Sequence, residues 1–482
     1  MSSYTFDIQK NSKSLLLLFF VVGFILRMMF VHSLRLDYDE GLFLVLGNLY
    51  KNNGILTGIL DNFPQISGVT FNQPPLVSLL YSLLYSFFPL DYGIGRFVNV
   101  LLSSFCIILI YIIIKEIWNS ETGLVAAIII MIDPTLVMGI LMTMDGLTTF
   151  IFCVSCLATV KAIKTDIITW HLIAGASFGL CMLTKWTLAI VPITYVVFYA
   201  YYSFWVNKNK RSVIIRNIVA SASIAFAIFL PWFIWMGLKG YLPIIFGHTH
   251  HIRIMNPFNS LYQTWKYSPI LLLLSIFAFM YYFINHKETR ILLLYSFFVI
   301  FPFFLILPRY YDYSPVLYLL TILAAKPSTI LFENSFSLVS RLKKSIFDLD
   351  RIKVDYDILL STVIIMLLIG ANGGFIVKTA IFDQDKTIQQ TAAFIEDNIT
   401  ESAVIICPSH FGALLIPRHW ISSYQETLGD QYFLIFTPNK LYYSATYIEG
   451  VEKGFVTENS RTYSFEKFAT INDVTIYQLI LN

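Results

Sequence analysis

The densest group of side chains able to do chemistry lies just beyond the first apolar run. There Arg35-Leu-Asp37-Tyr-Asp39-Glu40-Gly41 places carboxylates at 37, 39 and 40. Two readings fit: the acids cap the helix Gly41–Lys51 that follows, or one is a general base at a membrane boundary, where a lipid head group and a water-soluble acceptor can meet. Further along, Phe71-Asn72-Gln73-Pro74-Pro75-Leu76 opens a short apolar stretch, and Gly95-Arg96 follows it. Proline at a helix start is ordinary punctuation, so this element gains meaning only from its neighbours. Asp145 stands at the mouth of a later apolar run, either as its N-cap or as a second acid. Arg27, Arg96, Leu183-Thr184-Lys185 and Arg309-Tyr310 put cations near the ends of apolar segments. Such cations snorkel to head groups or hold a phosphate, and for Lys185 a third reading is the end of a helix at a tight turn.

Two further groups look like sites and read as something plainer. His248-Thr-His250-His251-Ile-Arg253 offers three histidines with no cysteine or acid in the same loop, which suits a solvated or acceptor-contacting loop better than zinc. Cys153-Val-Ser-Cys156 sits inside an apolar run, as do Cys106 and Cys181, so packing accounts for these thiols. Cys407 is the tail's one cysteine, and the tail has no internal disulfide.

The elements that must position these residues are set by composition. Of 482 residues, 57% are hydrophobic and 13% charged, against roughly 45–50% and 25% in soluble domains. Apolar runs recur from Ser14 to Val377, which excludes soluble, disordered and single-pass classes. The tail from Lys378 carries twelve acids and seven bases, so −5, leaving +8 on the rest of a +3 chain. No basic block suggests nucleic acid. Spans are expected at about 14–33, 95–115, 122–142, 146–164, 168–184, 186–206, 213–236, 268–285, 291–308, 312–326 and 356–376, eleven in all. The first is an anchor, since no small-residue cleavage site follows it.

Pro75–Pro89 is too short for a span and reads as an interfacial or re-entrant helix. Parity supports this: only then do Lys10, Lys13, Lys115, Lys161, Lys164, Lys208, Lys210, Arg211, Arg216, Lys287 and Arg290 share one side. That side is the cytoplasm by the positive-inside rule. The 34–94 loop, Thr143–Asp145, the 237–267 loop and the tail then face outward. The chain divides into a membrane domain at 1–376, with the outer loop 34–94, and an extracytoplasmic α/β domain at 377–482. In the latter Thr387–Ile399 reads as a helix, and Ala403–Cys407, Tyr432–Phe436 and Val474–Leu479 as strands. Asn398-Ile-Thr400 is a lone glycosylation sequon.

Taken in order, Arg27, Asp39-Glu40, Gln73-Pro74-Pro75-Leu76, Arg96, Asp145, Leu183-Thr184-Lys185 and Arg309-Tyr310 resemble the motif string of the GT-C glycosyltransferases. Within that superfamily the resemblance is to the protein O-mannosyltransferase and lipid A aminoarabinose transferase group, and it runs from residue 20 to about 320. It implies an all-α polytopic membrane fold and transfer of a sugar from a polyprenyl-phosphate carrier to an acceptor hydroxyl on the outer face of the cell membrane. It also implies Asp39 as base with Glu40 beside it, Asp145 as a second acid, and Arg27, Arg96, Lys185, Arg309 and Tyr310 around the donor phosphate. Gln73 departs from the His or Lys expected before the Pro-Pro pair and carries no charge. No cofactor is expected. The alternative is a divalent ion on Asp37 and Asp39, as in related oligosaccharyltransferases, but their Trp-Trp-Asp element has no counterpart here. Partners would be the lipid-linked sugar, a glycan, lipid or protein acceptor, and membrane lipid. A polytopic transporter or flippase is the rival reading, weakened by the lack of paired interrupted halves. A receptor would leave Asp39, Pro74-Pro75 and Asp145 unexplained.

Overall fold

A computed structural model describes residues 8–31, 38–53, 74–89, 91–134, 136–137, 145–185, 190–207, 209–238, 262, 268–285, 317–330, 387–399 and six strands of the tail. The described chain is mostly helical. It forms two compact units: one of Met1–Phe30, Phe97–Leu141 and Asp145–Ala380, the other of Val31–Arg96, Met142–Met144 and Ile381–Asn482. The 34–94 loop thus groups with the tail.

The first unit is built on α1 (Ile8–Met28), most of α4 (Tyr92–Ile117), α5 (Ser120–Ile132), α6 (Asp145–Thr165), α7 (Ile168–Met182), α8 (Ile190–Tyr201), α9 (Arg211–Leu238), α10 (Pro269–Asn285) and α11 (Leu317–Ile330). Among the described helices α1, α4, α6 and α9 are long and apolar enough to cross a membrane. The expected spans at 291–308 and 356–376 lie outside the described residues. Local chemistry sets the boundaries. Asn119 caps α5 by accepting from the Thr122 N–H at 2.9 Å. The apolar run 122–142, expected as one span, is interrupted after Ile132 because Pro134 cannot continue the helix.

Glycine decides how closely α7 and α9 approach. A Cβ on Gly175 would lie 2.2 Å from the Ser221 carbonyl oxygen, and one on Gly179 2.8 Å from that of Ala225. Four-residue spacing of small residues on both helices is the pattern that lets backbones meet inside a bilayer. The α6–α7 turn is held by a polar knot. Asp166, in the left-handed region at φ 53°, accepts from the Tyr199 hydroxyl at 2.5 Å, Asn217 Nδ2 at 2.9 Å and Asn209 Nδ2 at 3.0 Å. Buried His171 adds a 2.5 Å bond between its Nδ1 and the Tyr195 hydroxyl. Tyr199 lies on α8, just before a π-helical turn at Tyr202–Val206, so the knot fastens α6, α7, α8 and α9 together.

In the second unit α2 (Tyr38–Asn53) packs against α3 (Leu76–Phe87). The contact is close: a Cβ on Gly47 would meet Tyr81 Cβ at 2.5 Å. Helix α2 starts three residues before the expected Gly41, so Asp39 and Glu40 lie in its first turn. The twelve residues of α3 rise about 18 Å, short of the ~30 Å hydrocarbon core. The tail of this unit is α12 (Thr387–Asn398) on a six-stranded sheet in the order β2-β1-β3-β6-β5-β4. The strands are β1 (Val404–Ile406), β2 (Trp420–Ile421), β3 (Tyr432–Phe436), β4 (Phe455–Glu458), β5 (Arg461–Ile471) and β6 (Val474–Leu481). β1 pairs in parallel with β2 and β3, and the remaining pairs are antiparallel. Phe468 of β5 meets Phe394 of α12 and Phe433 of β3 edge-on, joining helix to sheet. The expected helix and three strands are present; β2, β4 and β5 are additional.

Candidate functional site

Among the described residues, each unit holds an ion pair assembled from the residues singled out by type and spacing. In the second unit Arg96 lies in the first turns of α4 and Glu40 in the first turn of α2. Arg96 Nε meets Glu40 Oε1 at 2.5 Å and Nη2 meets Oε2 at 2.7 Å, the two-point geometry that favours arginine over lysine. Neither side chain is exposed. Nη1 donates to the Val31 carbonyl at 2.8 Å, and the guanidinium lies 5.2 Å from the centre of the Tyr92 ring. Glu40 is therefore bound to a cation and orients the turn that carries Asp39. Asp39 itself is in α2, but its side chain lies outside the described residues.

The floor of this region is aromatic. Pro74 and Pro75 are buried at the head of α3, where the Leu79 N–H donates to the Pro75 carbonyl. Tyr81 lies against Gly95, where a Cβ would come within 2.4 Å of its ring. Tyr85 is buried, and burial, followed by the charges of Glu40 and Asp91, pushes its hydroxyl well above the usual tyrosine range. Tyr50 on α2 is likewise pushed up by burial, to about 12. These tyrosines stay protonated near neutrality. Gln73 lies outside the described residues.

In the first unit Asp145 opens α6 and Lys185 follows the end of α7. Lys185 Nζ lies 2.7 Å from Asp145 Oδ1 and 2.9 Å from Oδ2. Asp145 is buried, while Lys185 keeps 17% of its side chain exposed. Gly146 is required here: a Cβ would stand 2.5 Å from Asn99 Oδ1 and 2.8 Å from Asn99 Cα on α4.

Arg27 sits differently from the expectation of a phosphate ligand. It is wholly buried, and its nitrogens serve the carbonyls of Gly23, Ile130 and Leu136 at 3.0, 3.1 and 3.5 Å. Arg309, Tyr310, Asp37 and the 248–253 histidines lie outside the described residues. Among the described residues no group of three or more His, Cys, Asp or Glu is arranged to hold a metal ion. Residues that sequence reasoning passed over include Asp133, Tyr81, Asn99 and the Asp166 knot. The Asp133-Pro134 pair was the one with a signal, since it stops a helix.

Residues 72–235 match the dolichyl-phosphate-mannose-protein mannosyltransferase family. That stretch contains the Pro-Pro element, Arg96, Asp145 and Lys185. Comparison with curated proteins gives no match. Among solved structures, ArnT from Cupriavidus metallidurans bound to undecaprenyl phosphate superposes with a TM-score of 0.68 at 12% identity, covering 96% of this chain and 97% of that one. The oligosaccharyltransferase of Archaeoglobus fulgidus in its apo form gives 0.61 at 13% identity, over 90% and 70%. This is the GT-C fold. Within it the chain resembles the O-mannosyltransferase and ArnT group. With a GT-C fold and helices of spanning length, it is an integral membrane protein.

Proposed function

We propose that the chain is a glycosyltransferase that moves a sugar from a polyprenyl-phosphate donor to an acceptor hydroxyl at the outer membrane face. Likeness to ArnT over nearly the whole chain carries this reading, since ArnT was solved with undecaprenyl phosphate bound. Roles are assigned residue by residue. Asp39 takes the proton of the acceptor hydroxyl as the acceptor oxygen bonds to the anomeric carbon. The bond from that carbon to the phosphate oxygen breaks, and polyprenyl phosphate leaves with the electron pair, so the anomeric centre inverts. The leaving group needs no proton, but its growing negative charge needs a cation. Lys185, partly exposed, exchanges part of its Asp145 contact for the phosphate. Arg96 stays with Glu40, because withdrawing a buried arginine from its carboxylate would strand a buried charge. The outward-facing tail serves acceptor recognition.

Purified protein with a panel of labelled polyprenyl-phosphate sugars tests this reading. One donor should give a product of inverted anomeric configuration by NMR. Lys185→Met should raise the donor KM by about tenfold or more, the loss of a charge-assisted contact. No product with any donor, or retained configuration, contradicts it.

A further inference from the structure

Helix α6 opens with Asp145, and the two residues that share its face one turn further on are Thr148 and Thr149. At 3.6 residues per turn they stand about 60° to one side of Asp145 and about 40° to the other. Residues three and four apart on a helix are neighbours, and their side chains lean toward the helix N-terminus, here toward Asp145. Both threonines are buried, and neither hydroxyl has a hydrogen-bond partner among the described residues. A helical hydroxyl commonly donates to the carbonyl three or four residues back. On the same helix Ser155 does so to Phe152 at 2.7 Å and Thr165 to Lys161 at 2.8 Å. Thr159 is also unpartnered, but it lies roughly four turns from Asp145.

Their neighbour is the carboxylate that gives up a partner in the function proposed above. Lys185 Nζ meets Asp145 at 2.7 and 2.9 Å, and it exchanges part of that contact for the donor phosphate. A buried carboxylate that loses its cation is strongly disfavoured unless other donors reach it. Asp145 cannot follow the lysine: Gly146 seats the start of α6 against α4, where a Cβ would lie 2.8 Å from Asn99 Cα. Each threonine hydroxyl is a rotor with one proton to donate, and threonine divides between two χ1 positions in a helix. The other ion pair lacks this provision. Three and four residues after Glu40 come Phe43 and Leu44, buried side chains with nothing to donate.

We infer that Thr148 and Thr149 are positioning residues: their hydroxyls donate to Asp145 as Lys185 turns away, so the lysine is released without stranding a buried charge. Glu40, with no such donors one turn on, keeps Arg96. That the released lysine goes to phosphate rests on the function proposed above; the exchange of donors at Asp145 does not.

The test reads both. Lys185 is acylated with a water-soluble succinimidyl ester in the intact purified protein and quantified by mass spectrometry against exposed Lys115. Undecaprenyl phosphate binding is measured in parallel by thermophoresis. Thr148→Val/Thr149→Val keeps the shape and removes both donors. It should lower Lys185 labelling by roughly tenfold, the loss of hydrogen bonds to a charged group, and raise the Kd for undecaprenyl phosphate by about as much. General loosening of α6 would raise labelling instead. Thr148→Ser/Thr149→Ser restores the donors and should return both readings to within about twofold of wild type. In a Lys185→Met background the valine changes should leave the Kd within about twofold. If the double valine variant yields no folded protein, Thr149→Val decides, with a fall in labelling of about threefold. Unchanged labelling overturns the inference. So does a loss of affinity that persists in the Lys185→Met background, which would make the hydroxyls phosphate ligands. If wild type fails to bind undecaprenyl phosphate, the proposed function falls while the labelling still decides the role of the threonines.

Discussion

Glu40 and Arg96 meet at two points with no solvent on either side, which makes each the condition for the other. Removing one partner leaves a buried charge and costs about 3–5 kcal/mol, whereas replacing both by apolar groups is often neutral. Arg96→Met should therefore lower the unfolding midpoint in detergent strongly. The Glu40→Leu/Arg96→Met double variant should recover most of the loss, and a double variant no more stable than the single contradicts the pairing. Sequence reasoning found the types of these residues but not their partners. Glu40 and Arg96 lie 56 positions apart and Asp145 and Lys185 40 apart, so only tertiary folding brings them together. Arg96 and Lys185, expected around the donor phosphate, each lie against an acid brought from a distant part of the chain. Arg27 has a partner the sequence also hid: a carbonyl left without its helical donor by a proline more than a hundred residues away.

Helix contacts in the first unit depend on small residues rather than on apolar bulk. Gly175→Ala sets a methyl against the Ser221 backbone, which cannot rotate away. Overpacking of this kind costs about 1–3 kcal/mol. Leu172→Ala, at a position with 38% exposure, should change stability by only about 0.5 kcal/mol. Thermal unfolding of the two variants side by side checks the contrast, and equal midpoints would contradict it. Apolar run length made most of these helices legible, with ends within a few residues. It hid the interruption after Ile132, because the residues beyond Pro134 are as apolar as those before. The β5 strand was missed because Arg461–Ile471 carries Arg, Glu and Lys among its apolar residues, and its pairing with β6 includes a register shift near Lys467 and Ala469.

At the scale of the whole molecule, orientation follows from α3. Its apolar Leu83 and Phe87 are exposed while Tyr81 and Tyr85 are buried, which fits a helix lying along the bilayer surface. If α3 does not span, the tail and the basic 208–216 segment fall on opposite sides. In a Cys407→Ser background, a cysteine at exposed Glu396 should react with an impermeant maleimide on intact cells. One at exposed Lys210 should react only after permeabilisation. The reverse pattern would mean that α3 spans.

The central claim is transfer that depends on Asp39, so the decisive measurement compares wild type with Asp39→Asn for labelled sugar transfer, with and without EDTA. The account predicts transfer by wild type that survives EDTA and falls by about 10²–10⁴ in Asp39→Asn, the loss of a general base. Full activity in Asp39→Asn would contradict it.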